Sequence, residues 1–373
     1  ATSERFSFKE QLIIADIDVQ RLQADRLRNS AFIIGNQNPN KKNEFETIIL
    51  NNLGANNIYS EPSDVTRTFA PHPFVPPEDE MTTRCNEIFS IQVGGLATRL
   101  FHTGIKKAVV GISGGLDSTL ALLVMVKTFD KLGLPRENIV GITMPGFGTT
   151  GRTYNNSLNM MKSLGVTIKE VDIKPACLQH LKDIDHDLSI LDVSYENTQA
   201  RERTQILMDY ANKIGGLVVG TGDLSELVLG WATYNGDHMS MYAVNTSIPK
   251  TLVRYMVKYA ALYEMDEAAK ETLLDVCDTP VSPELLPADD KGEISQKTED
   301  LVGPYELHDF FIYYTLRFRI SPTKIFFMAQ KAFDGQYDKA TILKWMRTFY
   351  WRFFAQQFKR SCLPDGPKVG SVS

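Results

Sequence analysis

The sequence predicts an α/β protein built on a doubly wound parallel sheet, with a helical C-terminal extension. Three observations lead there. From residue 81 to 220, short and continuously apolar runs alternate with helical stretches, the pattern of strands buried on both faces. Two of these runs lead directly into turns rich in glycine and acid, Ser113-Gly114-Gly115-Leu116-Asp117-Ser118 and Gly220-Thr221-Gly222-Asp223. Beyond residue 250 the pattern is mostly helical and ends in an aromatic-rich tail from Phe326 to Phe358.

Each element follows from local pattern. Leu12-Ile13-Ile14-Ala15 reads as one strand and Val19 to about Arg28 as a charged helix; a lone strand needs a partner. Residues 34–80 are rich in Asn and Pro, which is linker chemistry because Pro offers no ladder donor and Asn favours turns. A helix is expected from Arg84 to Leu100, a strand at Ala108–Ile112, and a helix from Asp117 to about Leu132. Ile139–Thr143 is the next strand, a helix lies near Tyr154–Leu164, and Val166–Ile173 alternates as a strand does. Glu196 to Lys213 is a long helix and Leu217–Gly220 a short buried strand. The Pro-, Asp- and Lys-rich stretch at 279–304 reads as a mobile loop or lid. Bulky residues at helical spacing in the tail read as core packing.

Composition narrows the function. The 373 residues are 43% hydrophobic and 23% charged, with a formal net charge of −5; that field disfavours a polyanion such as a nucleic acid. No apolar run approaches the roughly 18–20 residues of a membrane span, and nothing at the N-terminus reads as a signal peptide. Cys85, Cys177, Cys277 and Cys362 form no C-x-x-C pair and read as reduced thiols of a cytoplasmic protein. The six histidines form no metal-ligand pattern.

The loop at 113–118 carries the strongest signal. Its glycines let the backbone turn and bring N–H groups against an anion at a helix N-terminus, and the hydroxyls of Ser113 and Ser118 add donors. Asp117 would repel bare phosphates, and its presence points to a Mg²⁺ between them. In an open parallel sheet this loop and Gly220–Glu226 should face one crevice, since ligands bind beyond the carboxyl ends of the strands. Glu226 would then share the metal with Asp117. Taken alone, Glu226 reads as a solvated helix residue, and Trp231 and Tyr234 as packing.

The S-G-G-x-D-S string resembles the PP-loop of the ATP pyrophosphatases, which cleave ATP between the α- and β-phosphates and have a Rossmann-like, adenine nucleotide alpha-hydrolase-like fold. The run Thr221-Gly222-Asp223-Leu224-Ser225-Glu226-Leu227, continuing through Gly230-Trp231-Ala232-Thr233-Tyr234-Asn235-Gly236-Asp237, resembles the NAD synthetases, especially the bacterial glutamine-dependent kind. Asn197–Arg203, Pro280–Leu286 and Gln357–Arg360 also resemble segments of that family.

The resemblance implies a ligase that amidates deamido-NAD to NAD through an acyl adenylate, with ATP and Mg²⁺. It implies that Ser113, Gly114, Gly115, Leu116, Asp117, Ser118, Thr119, Leu120, Arg201 and Thr221 hold ATP. Asn197, Glu226, Trp231, Ala232, Thr233, Tyr234, Asp237 and Lys359 would hold deamido-NAD, with Asp237 and Lys250 near the nicotinate carboxylate. Asp117, Glu226 and Lys250 are the expected catalytic residues, and Asp117 and Glu226 the expected metal ligands. A homo-oligomer, at least a dimer, is implied too.

Glutamine-dependent members begin with a nitrilase-like glutaminase domain. Residues 1–30 resemble only its last strand and helix, 31–80 a linker, and 81–373 the synthetase domain. The glutaminase's catalytic cysteine region has no match here, so the expected nitrogen donor for this chain is free ammonia, and a fragment or truncation of a longer parent is the expected origin. Two competing readings stand beside this one. Another PP-loop enzyme such as GMP synthetase would carry a different substrate loop. A non-catalytic nucleotide sensor would bind ATP without Asp117 or Glu226.

Overall fold

The computed structural model describes residues 3–13, 15–31, 65, 67–282, 285–287 and 298–372. The chain divides into two compact units, Ala1–Pro71 with Tyr313–Leu343, and His72–Ile312 with Lys344–Ser373. Residues 313–343 therefore group with the N-terminal segment and not with the rest of the 81–373 span.

The larger unit begins with helix α2 (Met81–Thr103), longer at both ends than its pattern suggested. Strand β1 (Ala108–Gly111) leads through the Gly-Gly turn into α3 (Leu116–Leu132). Next come β2 (Ile139–Thr143), α4 (Gly151–Ser163) and β3 (Thr167–Glu170). A helix that the sequence reading missed, α5 (Lys174–Asp183), precedes α6 (Val193–Ile214) and β4 (Leu217–Gly220). Helix α7 (Leu224–Leu229) and a two-residue strand β5 (Tyr242–Ala243) follow, and β5 is too short to leave a periodic signal. The unit continues with α8 (Lys250–Tyr263), α9 (Glu267–Asp278), α10 (Thr298–Val302) and α11 (Tyr305–Ile312).

The strands run in the order β3-β2-β1-β4-β5, all parallel, with Ala108 beside both Ile139 and Leu217. The doubly wound expectation is met. Alternation along β1 divides the core: Ala108 and Val110 pack with α2, α3 and α8 on one face, and Val109 packs with Val218, Cys177 and Ala211 on the other. Each fully buried valine among them stabilises the fold by roughly 1.5–3 kcal/mol. The strand expected over Val166–Ile173 keeps only Thr167–Glu170, because β3 is an edge strand hydrogen-bonded to β2 alone. Strand order reverses between β1 and β4, which places the binding crevice at their carboxyl ends.

Within the stretch at 279–304, residues 283–284 and 288–297 lie outside the described residues, and the reading of a mobile lid falls largely on them. Its last turn is the helix α10, anchored by buried Thr298 and Val302. Helix α13 (Lys339–Ala355) ends in a 3-10 turn at Gln357–Cys362. The aromatic tail divides between core and surface. Phe349 is fully buried against Phe311, whereas Trp351 is 62% and Phe354 71% exposed.

In the smaller unit the helix expected at Val19–Arg28, α1, is present and capped by Asp18, which accepts from Arg21 N at 3.0 Å. Asp18 also bonds Lys324 of α12 (Pro322–Ala332), and Arg28 Nη2 donates to Leu316 O at 3.2 Å. The expected strand at Leu12–Ala15 is absent: Leu12, Ile13 and Ala15 form no ladder, and Leu12 is 85% exposed. Ile14 lies outside the described residues, as do 32–64 and 66 of the expected linker. Apolar composition suggests a strand, but without a partner its backbone groups stay with water.

His308 on α11 is fully buried. Its Nε2 donates to Val302 O at 2.7 Å, and Nδ1 has no partner. Burial pushes this imidazole down to about 4 from the ordinary 6.5. The unfolded chain therefore binds a proton that the folded one refuses between these values, so stability falls as pH drops from 6.5 toward 4. The expected loss from this group is about 2 kcal/mol at pH 5 and about 3 kcal/mol at pH 4. Urea midpoints of wild type and His308→Leu across this range check it: the variant's slope should be shallower by that amount, and parallel slopes would refute it.

Candidate active site

A cavity of about 400 Å³ opens at the carboxyl ends of β1 and β4, lined by Ser113, Gly115, Leu116, Asp117 and Ser118 on one side and by Thr221, Glu226 and Trp231 on the other. The two motifs do face one crevice. In the first, Gly114 takes φ +84°, and a Cβ there would lie 2.1 Å from Thr153 O. Gly115 N donates to Ser113 Oγ at 3.2 Å, and Thr119 Oγ1 donates to Gly115 O at 2.8 Å. No side chain caps α3, which leaves its first N–H groups available to an anion.

Helix α7 is built differently. Asp223 caps it by accepting from Glu226 N at 2.8 Å, and the Glu226 carboxylate reaches back to Asp223 N at 3.5 Å, forming a capping box. This brings two carboxylates together, and Asp117 completes a group whose oxygens lie within 4.8 Å of one another. Lys250 Nζ sits among them, 2.6 Å from Asp117 Oδ2, 2.8 Å from Asp223 Oδ2 and 2.9 Å from Glu226 Oε1. Burial opposes the charge on Lys250, yet the three carboxylates outweigh it and hold its pKa well above the ordinary lysine value. One ammonium cannot balance three acids. Burial raises Asp223 well above the carboxylate range and takes Glu226 to about 7, with Lys250 opposing and Asp117 reinforcing both. Lys250 therefore shifts upward on the negative charge around it, and Asp223 and Glu226 shift upward chiefly on burial.

Two side chains that sequence reasoning missed tie the loops together. Asn245 Nδ2 donates to Asp117 O at 3.0 Å and Thr221 O at 3.1 Å, and Gln92 Nε2 donates to Asn245 Oδ1 at 3.1 Å. Buried Asp309 bonds Ser225 Oγ and accepts from Thr251 N at 2.9 Å, anchoring the start of α8 and thereby Lys250. Asp223 had a sequence signal, since D-x-x-E before an apolar run is a capping box. Gln92, Asn245 and Asp309 had none.

At the other end, Asn197, Trp231, Ala232, Thr233, Asp237 and Lys359 line the cavity. Thr233 Oγ1 donates to Asn197 Oδ1 at 2.7 Å, and Thr233 N to Asp237 Oδ1 at 2.7 Å. Burial raises the Asp237 carboxyl, opposed by that backbone donor. Lys359 Nζ donates to Gly230 O at 3.0 Å and Ala232 O at 2.6 Å, and burial lowers its pKa.

Five of the expected binding residues do not line the cavity. Gly114 turns against Thr153, while Thr119 and Leu120 are buried beneath the loop. Arg201 is exposed and donates to Tyr234 O at 3.4 Å; the arginine two positions on, Arg203, lines the cavity instead. Tyr234 packs on Phe358 at 5.4 Å between ring centroids. Lys250 lies beneath the acidic cluster and is also absent from the lining.

A parallel sheet that reverses its strand order beside an uncapped Gly-Gly helix start, with Asp223 and Glu226 facing Asp117, defines an α/β protein of the doubly wound class, whose ligand crevice lies at the switch point. Residues 89–268 match the NAD synthase family, and this segment, which holds the sheet and the acidic cluster, belongs to it. It is 38% identical over 400 residues to the glutamine-dependent NAD(+) synthetase of Mycobacterium leprae (strain TN), covering 99% of this chain and 57% of that protein. The chain thus spans little more than half the length of such relatives. Among solved structures, a glutamine-dependent NAD(+) synthetase from Cytophaga hutchinsonii shares the fold at a TM-score of 0.61 and 18% identity, covering 76% of this chain and 51% of that one. An NMN synthetase from Francisella tularensis does so at 0.56 and 22%, covering 74% and 95%.

Proposed function

We propose that this chain amidates nicotinic acid adenine dinucleotide to NAD, using ATP and free ammonia. The observation that carries the reading is the single cavity joining an uncapped helix start and an acidic cluster at one end to the Trp231–Thr233 and Asp237 end at the other. That arrangement suits two nucleotides meeting head to head. The nicotinate carboxylate oxygen attacks the α-phosphorus of ATP, the bond to the β-phosphate oxygen breaks, and pyrophosphate leaves. The nitrogen lone pair of ammonia then attacks the acyl carbon, AMP departs with the C–O bond's electrons, and the nitrogen loses a proton.

In this reading Ser113, Gly115, Leu116, Ser118 and Thr221 cradle the ATP phosphates, and Asn197, Trp231, Ala232, Thr233 and Asp237 orient the dinucleotide. The protein's main contribution is to hold both substrates in line and exclude water. The acidic cluster fits a divalent cation: Asp117 Oδ1 is buried with no hydrogen-bond partner, and three carboxylates face one ammonium. Asp117 and Glu226, with Asp223 behind them, would hold Mg²⁺, which would neutralise phosphate charge.

Ammonia as donor is supported by the cysteines. Cys85, Cys177 and Cys277 are buried with thiols pushed up to about 11 by desolvation, and Cys362 is paired with His238 Nε2 at 3.3 Å. The three buried thiols are unsuited to act as a glutaminase nucleophile. Exposed Trp351 and Phe354 support assembly as a dimer or larger, which sedimentation would test. No described helix is long and apolar enough to cross a membrane.

The test is NAD formation from deamido-NAD, ATP and Mg²⁺, with ammonium chloride in one reaction and glutamine in another. NAD with ammonium alone is expected. NAD from glutamine would refute the donor, and NAD from neither would refute the activity.

A further inference from the structure

The carboxyl end of α7 leaves backbone carbonyls in need of donors, as every helix does. Glu226 O is satisfied from within the backbone, accepting from Trp231 N at 2.9 Å. The carbonyls of the next residues are met by three cations from one short segment. Arg360 Nη1 donates to Val228 O at 2.9 Å, and Arg352 Nε donates to Leu229 O at 3.0 Å. Arg352 Nη2 donates to Gly230 O at 3.4 Å, and Lys359 Nζ serves Gly230 O and Ala232 O. All five bonds end on carbonyls, where the negative end of a helix dipole favours positive charge.

The fit is close. Gly230 takes φ +58°, and a Cβ there would lie 2.4 Å from Gln356 Cβ. The Arg352 guanidinium also lies over the Trp231 indole, 5.0 Å from the ring centroid, and both residues line the cavity. Burial lowers the pKa of Arg352, Lys359 and Arg360 alike. Such desolvation makes these bonds stronger than surface ones.

We propose that Arg352, with Lys359 and Arg360, forms a cationic clamp on residues 228–232 and is the positioning residue that places Trp231 for the dinucleotide substrate. This rests on the reading of Trp231–Thr233 as the dinucleotide end of the cavity. The amino end of α7 is held separately, by the Asp223 capping box and Lys250, so the clamp acts on one substrate and not on both. Lys359 serves chiefly as a clamp member, since two of its hydrogens already go to carbonyls.

The experiment compares Arg352→Gln, Arg352→Lys and Arg360→Gln in the full chain, with ammonium as donor. Loss of charge-assisted bonds together with the stack should raise KM for deamido-NAD about tenfold or more in Arg352→Gln, with KM for ATP within about twofold. Arg352→Lys should not rescue it, because one ammonium cannot bond two carbonyls and lie flat on an indole. Arg360→Gln, which removes one clamp bond and leaves the stack intact, should lower the thermal midpoint and raise KM for deamido-NAD by less than Arg352→Gln does.

A second readout does not need activity. With Trp345 and Trp351 replaced by Phe, acrylamide quenching reports Trp231 alone, and Arg352→Gln should raise it. Equal KM changes for both substrates, rescue by Arg352→Lys, or unchanged quenching would each overturn the proposal. A wild type that makes no NAD would refute the functional reading instead, and the quenching comparison would still decide the clamp.

Discussion

Lys250→Met should destabilise the protein by about 3–5 kcal/mol, the cost of leaving buried charge without its partner. Lys250 is 4% exposed and holds three carboxylates at 2.6–2.9 Å, one of them the fully buried Asp223. Methionine matches the volume of the stem and keeps the backbone bond from Lys250 N to Ser225 Oγ at 2.9 Å, so the loss reports the charge and not a cavity. Urea unfolding would measure it as a lower midpoint with an unchanged slope. Added Mg²⁺ should recover more stability in the variant than in wild type if the cluster accepts a divalent cation. A variant as stable as wild type would mean that the carboxylates are neutralised some other way, and the charge argument for the cluster would fail.

Gly114→Ala should abolish most of the activity, whereas the neighbouring Gly115→Ala should leave the fold intact. At Gly114 the backbone has φ +84°, which costs a residue with a side chain about 1–3 kcal/mol, and the new Cβ would meet Thr153 O at 2.1 Å. Thr153 belongs to the first turn of α4, whose own cap Thr150 holds it in place, so the carbonyl cannot move aside. The loop must shift, and a shift of about 1 Å at a reacting site costs on the order of 100-fold in rate. At Gly115 the nearest atom to a new Cβ is Ser113 Oγ at 3.4 Å, and its φ is −95°. The check is kcat/KM for ATP with circular dichroism to confirm folding. Equal kinetics in the two variants would show that the loop accommodates the clash and that its conformation does not matter.

The contrast between these two glycines shows where sequence reading stops. Ser113-Gly114-Gly115 announces a tight anion-binding turn, but only the packing of α4 against that turn decides which glycine is indispensable. The same limit applies to Arg201 and Arg203. Both fall in one recognisable polar segment, but residues two apart on a helix point to different sides, and the rotation of α6 against the sheet decides that Arg203 lines the cavity.

Much of this protein was determined by the sequence alone. Continuous apolar runs declared β1, β2 and β4, because a strand buried on both faces has no polar positions to spare. The Gly-Gly turn, the acid after it and the T-G-D-L-S-E-L run located the crevice, since local backbone chemistry is written in neighbouring residues. The apolar run at Leu12–Ala15 misled, because a strand exists only when another strand supplies its hydrogen bonds. What the tertiary structure decided is what lies far apart in the chain. Lys250 reaches Asp117 across 133 residues, Asn245 spans two loops, and Arg352 meets Leu229 across 123. A charge or an amide carries no mark in the sequence of the partner it will face, and only burial together makes that partner necessary.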